Sequence, residues 1–142
     1  MSLPGYIYKM LENVVGPENI SDSPHILAAY RHFSPQAVHR PVSPAAVILP
    51  GSTEEVQNLI RICNRYHIKY IPEVSLFGMS AVAFPDTVII NLRRMNRILE
   101  INEVDRYAVI EPGVRHVQLK PEVLKRGLNY PTASVGPSCS VL

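Results

Sequence analysis

The stretch Arg93-Arg94-Met95-Asn96-Arg97-Ile98-Leu99-Glu100-Ile101-Asn102, continued by Tyr107-Ala108-Val109-Ile110-Glu111-Pro112-Gly113-Val114, decides how the chain folds. Residues 98–102 and 106–111 are two β-prone segments separated by Glu103-Val104-Asp105, a spacing that suits an antiparallel hairpin. Pro112-Gly113 then turns the chain toward a helix. Immediately upstream, Thr87-Val88-Ile89-Ile90-Asn91-Leu92 is a β-branched run of the kind buried inside a sheet. A buried strand followed at once by a hairpin predicts two sheets of different character, joined at Arg93–Arg97.

Outward toward the N-terminus, Ala45-Ala46-Val47-Ile48-Leu49 is an unbroken apolar run between prolines, the pattern of a strand buried on both faces of a mostly parallel sheet. Pro50-Gly51 turns the chain. Ser52 with Glu55 three residues on forms a capping box, hydroxyl and carboxylate each satisfying a backbone donor at the other's position. The helix that follows carries Val56, Leu59, Ile60, Cys63 and Tyr66 or His67 on its apolar face, with Glu54, Gln57, Asn58, Arg61 and Arg65 outward. Residues 68–71 read as the next strand, so residues 45–72 form a β-α-β unit with a right-handed crossover. Residues 6–15 predict a short amphipathic helix, with Ile7, Met10, Leu11 and Val14 at spacings of three and four. Residues 20–44, rich in proline and without periodicity, read as an extended arm around one brief helix at 24–30.

Toward the C-terminus the best helical segment is 121–126, with Pro121 in its first turn and Gly127 as a left-handed stop. Val117, Leu119, Val123 and Leu124 are expected to face inward. Residues 128–142 read as loop.

The order of a basic-Met-Asn motif (Arg94-Met95-Asn96), two strands, a Pro-Gly-Val turn and a helix resembles the FAD-binding domain of the flavoprotein oxidases that include vanillyl-alcohol oxidase, p-cresol methylhydroxylase and the D subunit of glycolate oxidase. The resemblance implies an α+β fold in which a β-α-β parallel subdomain is followed by the start of an antiparallel one. Residues 1–44 would form an N-terminal helix and wrapping arm, and residues 45–142 the FAD-binding domain, cut within its second cofactor loop. It also implies FAD as cofactor of an oxidoreductase that removes hydride from a small alcohol, hydroxy acid or phenol, with substrate contacts supplied by a missing domain or a partner subunit. Met95 is expected in the core and Asn96 on local backbone, so the motif is a structural signature and Arg94 is not a ligand residue.

In open α/β sheets ligands collect beyond the carboxyl ends of the strands, which puts the first cofactor loop at Pro72, Val74, Ser75, Leu76, Phe77, Gly78, Met79 and Ser80. Relatives hold a glycine-rich segment there, whose backbone N–H groups wrap the FAD pyrophosphate. Gly78 and Ser80 fit that pattern, whereas Leu76, Phe77 and Met79 stand where small or hydroxyl residues let the backbone approach. Glu73 must point away if FAD binds, since a carboxylate about 4 Å from a phosphate costs roughly 4 kcal/mol at an effective dielectric of ~20. The second loop is carried by Pro131, Ser134, Gly136, Pro137 and Ser138, which match the small-residue segment lining the adenosine-diphosphate part of FAD in relatives. With one loop poor in glycine and the other ending at Leu142, the chain alone is expected to be largely flavin-free and without turnover of its own. Two alternatives stay open: an ordinary exit loop at 72–80, and, for the whole chain, a flavin-free degenerate or truncated module serving assembly.

Lys+Arg 14 against Asp+Glu 12, with the basic residues scattered except at Arg93, Arg94 and Arg97, argues against a nucleic-acid partner. No apolar stretch approaches the ~20 residues of a bilayer span, and a cytoplasmic protein is expected. Cys63 and Cys139 lack paired spacing, so Cys63 reads as a core residue. His25, His32, His39, His67 and His116 lack zinc-ligand spacing, and each reads as a solvated or core histidine. The open edges of the 98–111 hairpin carry an expectation of homodimer formation.

Overall fold

A computed structural model of the chain describes residues 3–30, 43–74, 86–131 and 139–141. Two β-branched runs build the centre of the first sheet. Strand β2 (Ala46–Ile48) and strand β4 (Thr87–Asn91) lie side by side in parallel, Val47 opposite Ile89, and every residue of both is buried. The parallel strand β3 (Lys69–Glu73) covers the other side of β4, and the two-residue strand β1 (Ile20–Ser21) closes the far edge antiparallel to β2, giving the order β1-β2-β4-β3. The strands read at 45–49 and 69–71 therefore share one sheet, with β4 inserted between them.

Alternation sends successive residues of β2 and β4 to opposite faces, and both faces are covered. Ala46, Ile48, Val88 and Ile90 pack against Leu59 and Cys63 of helix α3 (Thr53–Arg65) and against Ile7, Leu11 and Val15 of helix α1 (Gly5–Val15). Val47 and Ile89 pack against Leu27 of helix α2 (Pro24–Ala28) and against Tyr30. The Ser52 hydroxyl accepts from the Glu55 N–H at 3.1 Å, as the capping box requires. Its return arm differs from expectation, because the Glu55 carboxylate accepts from the N–H of Gly51, one residue before the cap, at 2.7 Å. At the other end His67, at φ 54°, adopts the left-handed conformation that closes α3, and the Ile68 N–H bonds back to the Cys63 carbonyl at 2.8 Å.

The second sheet is the hairpin of β5 (Ile98–Asn102) and β6 (Tyr107–Ile110). Ile98 pairs with Ile110 but Glu100 with Val109, so Leu99 is an extra residue, a bulge in β5. The bulge lets Ile98 and Ile101, three apart, both join the cluster around Val114, Leu119 and Val123. Helix α4 (His116–Leu124) supplies Leu119 and Val123 to that cluster.

Several expectations need correction. Residues 20–21, read as part of the irregular arm, form β1, and the brief helix stops at Ala28. Strand β3 runs through Pro72 to Glu73, beyond the expected end at 71; among the described residues β3 pairs only with β4, and an edge strand tolerates a residue without an N–H. Helix α4 starts at His116 and holds Pro121 in its interior, and Val117 and Leu124 are exposed on it. Pro121 has no N–H for the Val117 carbonyl, yet helix continues on both sides of it. Met95 is buried as expected, but the carboxamide that bonds local backbone is that of Asn91, which accepts from the Arg93 N–H at 3.1 Å; Asn96 is exposed.

Candidate cofactor site

The run Arg93–Arg97 is the joint between the two sheets. Leu92–Arg94 make one 3-10 turn at the end of β4, so that Arg94 reaches back and Arg97 reaches forward. The Arg94 guanidinium donates to the Leu49 carbonyl at 2.6 Å and lies 3.8 Å from the Glu55 carboxylate, against Gly51. It ties the exit of β2 to the first turn of α3, a structural role consistent with its not being read as a ligand. Arg97 donates Nε and Nη2 to the buried Glu111 carboxylate at 3.0 and 2.6 Å, and the same carboxylate accepts the Arg97 backbone N–H at 2.7 Å. Those bonds hold the Glu111 carboxyl below the usual carboxylate range, the Arg97 side chain contributing most. Beside them Gly113 donates its N–H to the Met95 carbonyl at 2.7 Å. A Cβ at Gly113 would stand 2.7 to 2.9 Å from the carbonyl oxygens of Met95, Leu92 and Arg93, so the close approach itself demands glycine. This pairing across the hairpin was not foreseen, and sequence spacing gives no signal for it.

Beyond the joint, the carboxyl ends of the parallel strands lie together: Ile48, Ile90 and Pro72 share one level of the ladder, and Asn91 faces Glu73 one step on. Of the residues assigned to the first cofactor loop, Pro72 lies in β3 and Val74 follows it directly, half-buried. Ser75, Leu76, Phe77, Gly78, Met79 and Ser80 lie outside the described residues. In the second loop Pro131 is exposed, while Ser134, Gly136, Pro137 and Ser138 lie outside the described residues. The chain returns at Cys139 and Ser140, where Ser140 bridges to Arg115 and the Val141 N–H donates to the Val114 carbonyl at 2.9 Å.

Whether this edge suits a pyrophosphate turns on Glu73, the carboxylate nearest the first loop. Its side chain is buried, with 6 % of its surface exposed, and it acts electrostatically on the Tyr30 hydroxyl. Burial is the main cause of the raised Tyr30 pKa; Arg93 opposes the rise and Glu73 adds to it. The acidic group is thus buried at the end of β3. Histidine placement is also informative. His67 is exposed, whereas His116 is buried and its Nδ1 lies 3.0 Å from the Tyr130 hydroxyl. Among the described residues no group of three His, Cys, Asp or Glu side chains is arranged to hold a metal ion. Burial pushes the Cys63 thiol up to about 11. A separate apolar cleft of about 280 Å³ lies between the hairpin and α4, lined by Ile101, Ala108, Ile110, Leu119 and Val123.

Residues 44–141 match the FAD binding domain family. The chain belongs to this family. FAD is the cofactor that the family binds. The D-2-hydroxyglutarate dehydrogenase of Stutzerimonas stutzeri (strain A1501) is 36% identical over 137 residues, a match that takes in 90% of this chain and 28% of that protein. The 4-ethylphenol oxidase of Gulosibacter chungangensis, solved with isoeugenol, superposes with a TM-score of 0.75 at 34% identity, covering 86% of this chain and 24% of the enzyme. Substrate-bound p-cresol methylhydroxylase superposes with a TM-score of 0.76 over 87% of this chain and 25% of its own, and at 23% identity it shows the shared fold. The chain thus spans about a quarter of the length of these proteins. An α+β FAD-binding domain of the p-cresol methylhydroxylase type is the architecture.

Proposed function

We propose that this chain is the FAD-binding portion of a flavin-dependent oxidoreductase acting on a small alcohol, hydroxy acid or phenol. The observation that carries it is the family match over residues 44–141, laid on parallel strand ends that share one edge. The names of the relatives supply the substrate classes: a dehydrogenase of a 2-hydroxy acid and an oxidase of a phenol. Nothing among the matches supports a flavin-free module.

In this reading residues 45–142 are the cofactor domain and residues 1–44 its N-terminal arm. Pro72, Val74, Ser75, Leu76, Phe77, Gly78, Met79 and Ser80 hold the pyrophosphate, and Pro131, Ser134, Gly136, Pro137 and Ser138 line the adenosine-diphosphate part. When bound, the flavin ring supplies the hydride acceptor; the protein supplies binding and orientation. Substrate contacts come from a further domain or subunit, so the chain alone gives no sustained turnover. No helix among the described residues is long and apolar enough to cross a membrane, and the reading places the protein in the cytoplasm. Exposed Leu99, Tyr107 and Val109 on the hairpin support self-association through its open edges.

Titration of the purified chain with FAD, and in parallel with riboflavin, tests the cofactor reading. Saturable but weak binding of FAD that riboflavin does not match is expected, because both loops address the diphosphate and adenosine end while the first is poor in glycine. Absence of FAD binding up to about 1 mM, a dissociation free energy below about 4 kcal/mol, would sink the reading.

A further inference from the structure

The arginines of the joint do not share one role. Arg94 holds the Leu49 carbonyl beside Glu55, and Arg97 holds Glu111. Arg93 is exposed, and among the described residues no carboxylate pairs with its guanidinium. The 3-10 turn of Leu92–Arg94 decides where each side chain goes, because at about three residues per turn successive side chains leave the axis roughly 120° apart. Leu92 packs on the α1 and α3 face of the parallel sheet, and Arg94 runs back to the exit of β2. The third direction falls to Arg93. Its charge reaches the hydroxyl of Tyr30, which packs with Val47 and Ile89 on the face opposite Leu92. The turn also lies against β3. Arg93 therefore stands at the carboxyl ends of β3 and β4, where open α/β sheets gather their ligands.

The backbone beneath this side chain is held on every side. The Arg93 N–H donates to the Asn91 carboxamide at 3.1 Å, and the Met95 N–H closes the turn on the Leu92 carbonyl at 2.9 Å. The Arg93 carbonyl lies so near Gly113 that a Cβ there would stand 2.9 Å from it. Only the side chain is left to order, so a partner that engages it pays little in conformational freedom. A guanidinium presents parallel N–H groups that match two oxygens of a phosphate.

We propose that Arg93 is a cationic contact for the diphosphate of FAD. The proposal rests on the reading of this chain as a cofactor domain and adds to it a ligand residue inside the joint. Arg94-Met95-Asn96 keeps its structural role, and the residue before it faces the cofactor. Riboflavin has no phosphate and offers Arg93 nothing to hold. The contact sets affinity for the cofactor and takes no part in hydride transfer.

Arg93→Gln, Arg93→Lys and Arg65→Gln are each titrated with FAD and with riboflavin at about 0.05 and about 0.5 M salt, and their thermal midpoints are measured. Arg65 is a control of equal charge, exposed in the last turn of α3 at the opposite end of the sheet, just before β3 begins. At low salt Arg93→Gln is expected to raise the FAD dissociation constant about tenfold or more, the loss of a charge-assisted hydrogen bond. Arg93→Lys keeps the charge without the fork and should raise it about threefold. Riboflavin binding should not change, and the thermal midpoint should stay within about 2 °C of the parent, as for other exposed substitutions. The gap between Arg93→Gln and the parent should narrow at high salt. Arg65→Gln should stay within about twofold of the parent. An FAD dissociation constant that Arg93→Gln leaves unchanged overturns the contact while the cofactor reading stands. Equal weakening by Arg65→Gln also overturns it, since net charge and not position is then the cause. Failure of the parent to bind FAD overturns the cofactor reading, and the contact falls with it.

Discussion

The parallel sheet and the hairpin meet the same demand, burial of β-branched side chains, in opposite ways. Every residue of Thr87–Asn91 is covered, because neighbouring strands flank it on both sides and helices on both faces. In Tyr107–Ile110 only Ile110 is partly covered, and Tyr107 and Val109 stand 45% and 42% exposed. Among the described residues the first sheet is covered on both faces, whereas the hairpin has one dressed face and two open edges. Stability is therefore concentrated in the first unit; the Met95–Gly113 contact ties the second to the joint, and the Arg97–Glu111 bonds close the base of the hairpin.

The sharpest way to break the contrast is a pair of truncations. Ile89→Ala in β4 empties a site that is 1% exposed and should cost about 2–5 kcal/mol in urea unfolding. Val109→Ala on the hairpin should stay within about 0.5 kcal/mol, as exposed substitutions do. Comparable losses would mean that the outer face of the hairpin is covered in solution, as a homodimer through its edges would cover it.

A smaller effect is expected at the joint. Glu111→Gln removes the charge that accepts three bonds from Arg97, at a cost of about 1–2 kcal/mol, held down because the Arg97 guanidinium faces solvent and is screened. The folded Glu111 carboxyl lies below its ordinary value, so its contribution is fully present above the unfolded pKa of about 4.3 and is lost as pH falls through the folded one. The stability gap between parent and variant should thus be constant from neutral pH down to about 5 and close under more acid conditions. A gap that persists undiminished at about pH 2 would show that the carboxylate charge is not what closes the base of the hairpin.

The least change concerns the hairpin turn, where Arg106 holds φ 57°, a conformation that suits glycine. Arg106→Gly should stabilise the chain by about 0.5–1 kcal/mol, read as a higher urea midpoint. A lower midpoint would show that Arg106 contributes packing that outweighs its backbone strain.

Legibility followed the locality of the cause. The parallel strands, the Ser52 cap, the hairpin and the Gly127 stop were readable because each is set by neighbouring residues: unbroken β-branched runs, a hydroxyl three places before a carboxylate, a short turn between two strands. Strand β1 was not, since two residues carry no period and its register is set by Ile48, far along the chain. The start of α4 was misread because Arg115 is no N-capping residue. Its N–H is met by the Gln118 side chain at 3.0 Å, and Pro121 inside the helix mimicked a helix start. On the cofactor side, the burial of Glu73 depends on tertiary packing and leaves no local signal. The His116–Tyr130 and Arg97–Glu111 pairs each span a separation of 14 residues with no motif between them.

The two cysteines fall one to each unit. Cys63 is wholly buried between α3 and the parallel sheet, and Cys139 stands 8% exposed where the chain returns beside α4. Because the thiolate is the reactive form and neither sulfur lies open to solvent, an alkylating reagent meets each one chiefly when its surroundings part. The chain thus carries its own pair of chemical clocks: the rate at which each thiol is capped reports how often its half of the molecule opens, with no label or substitution introduced.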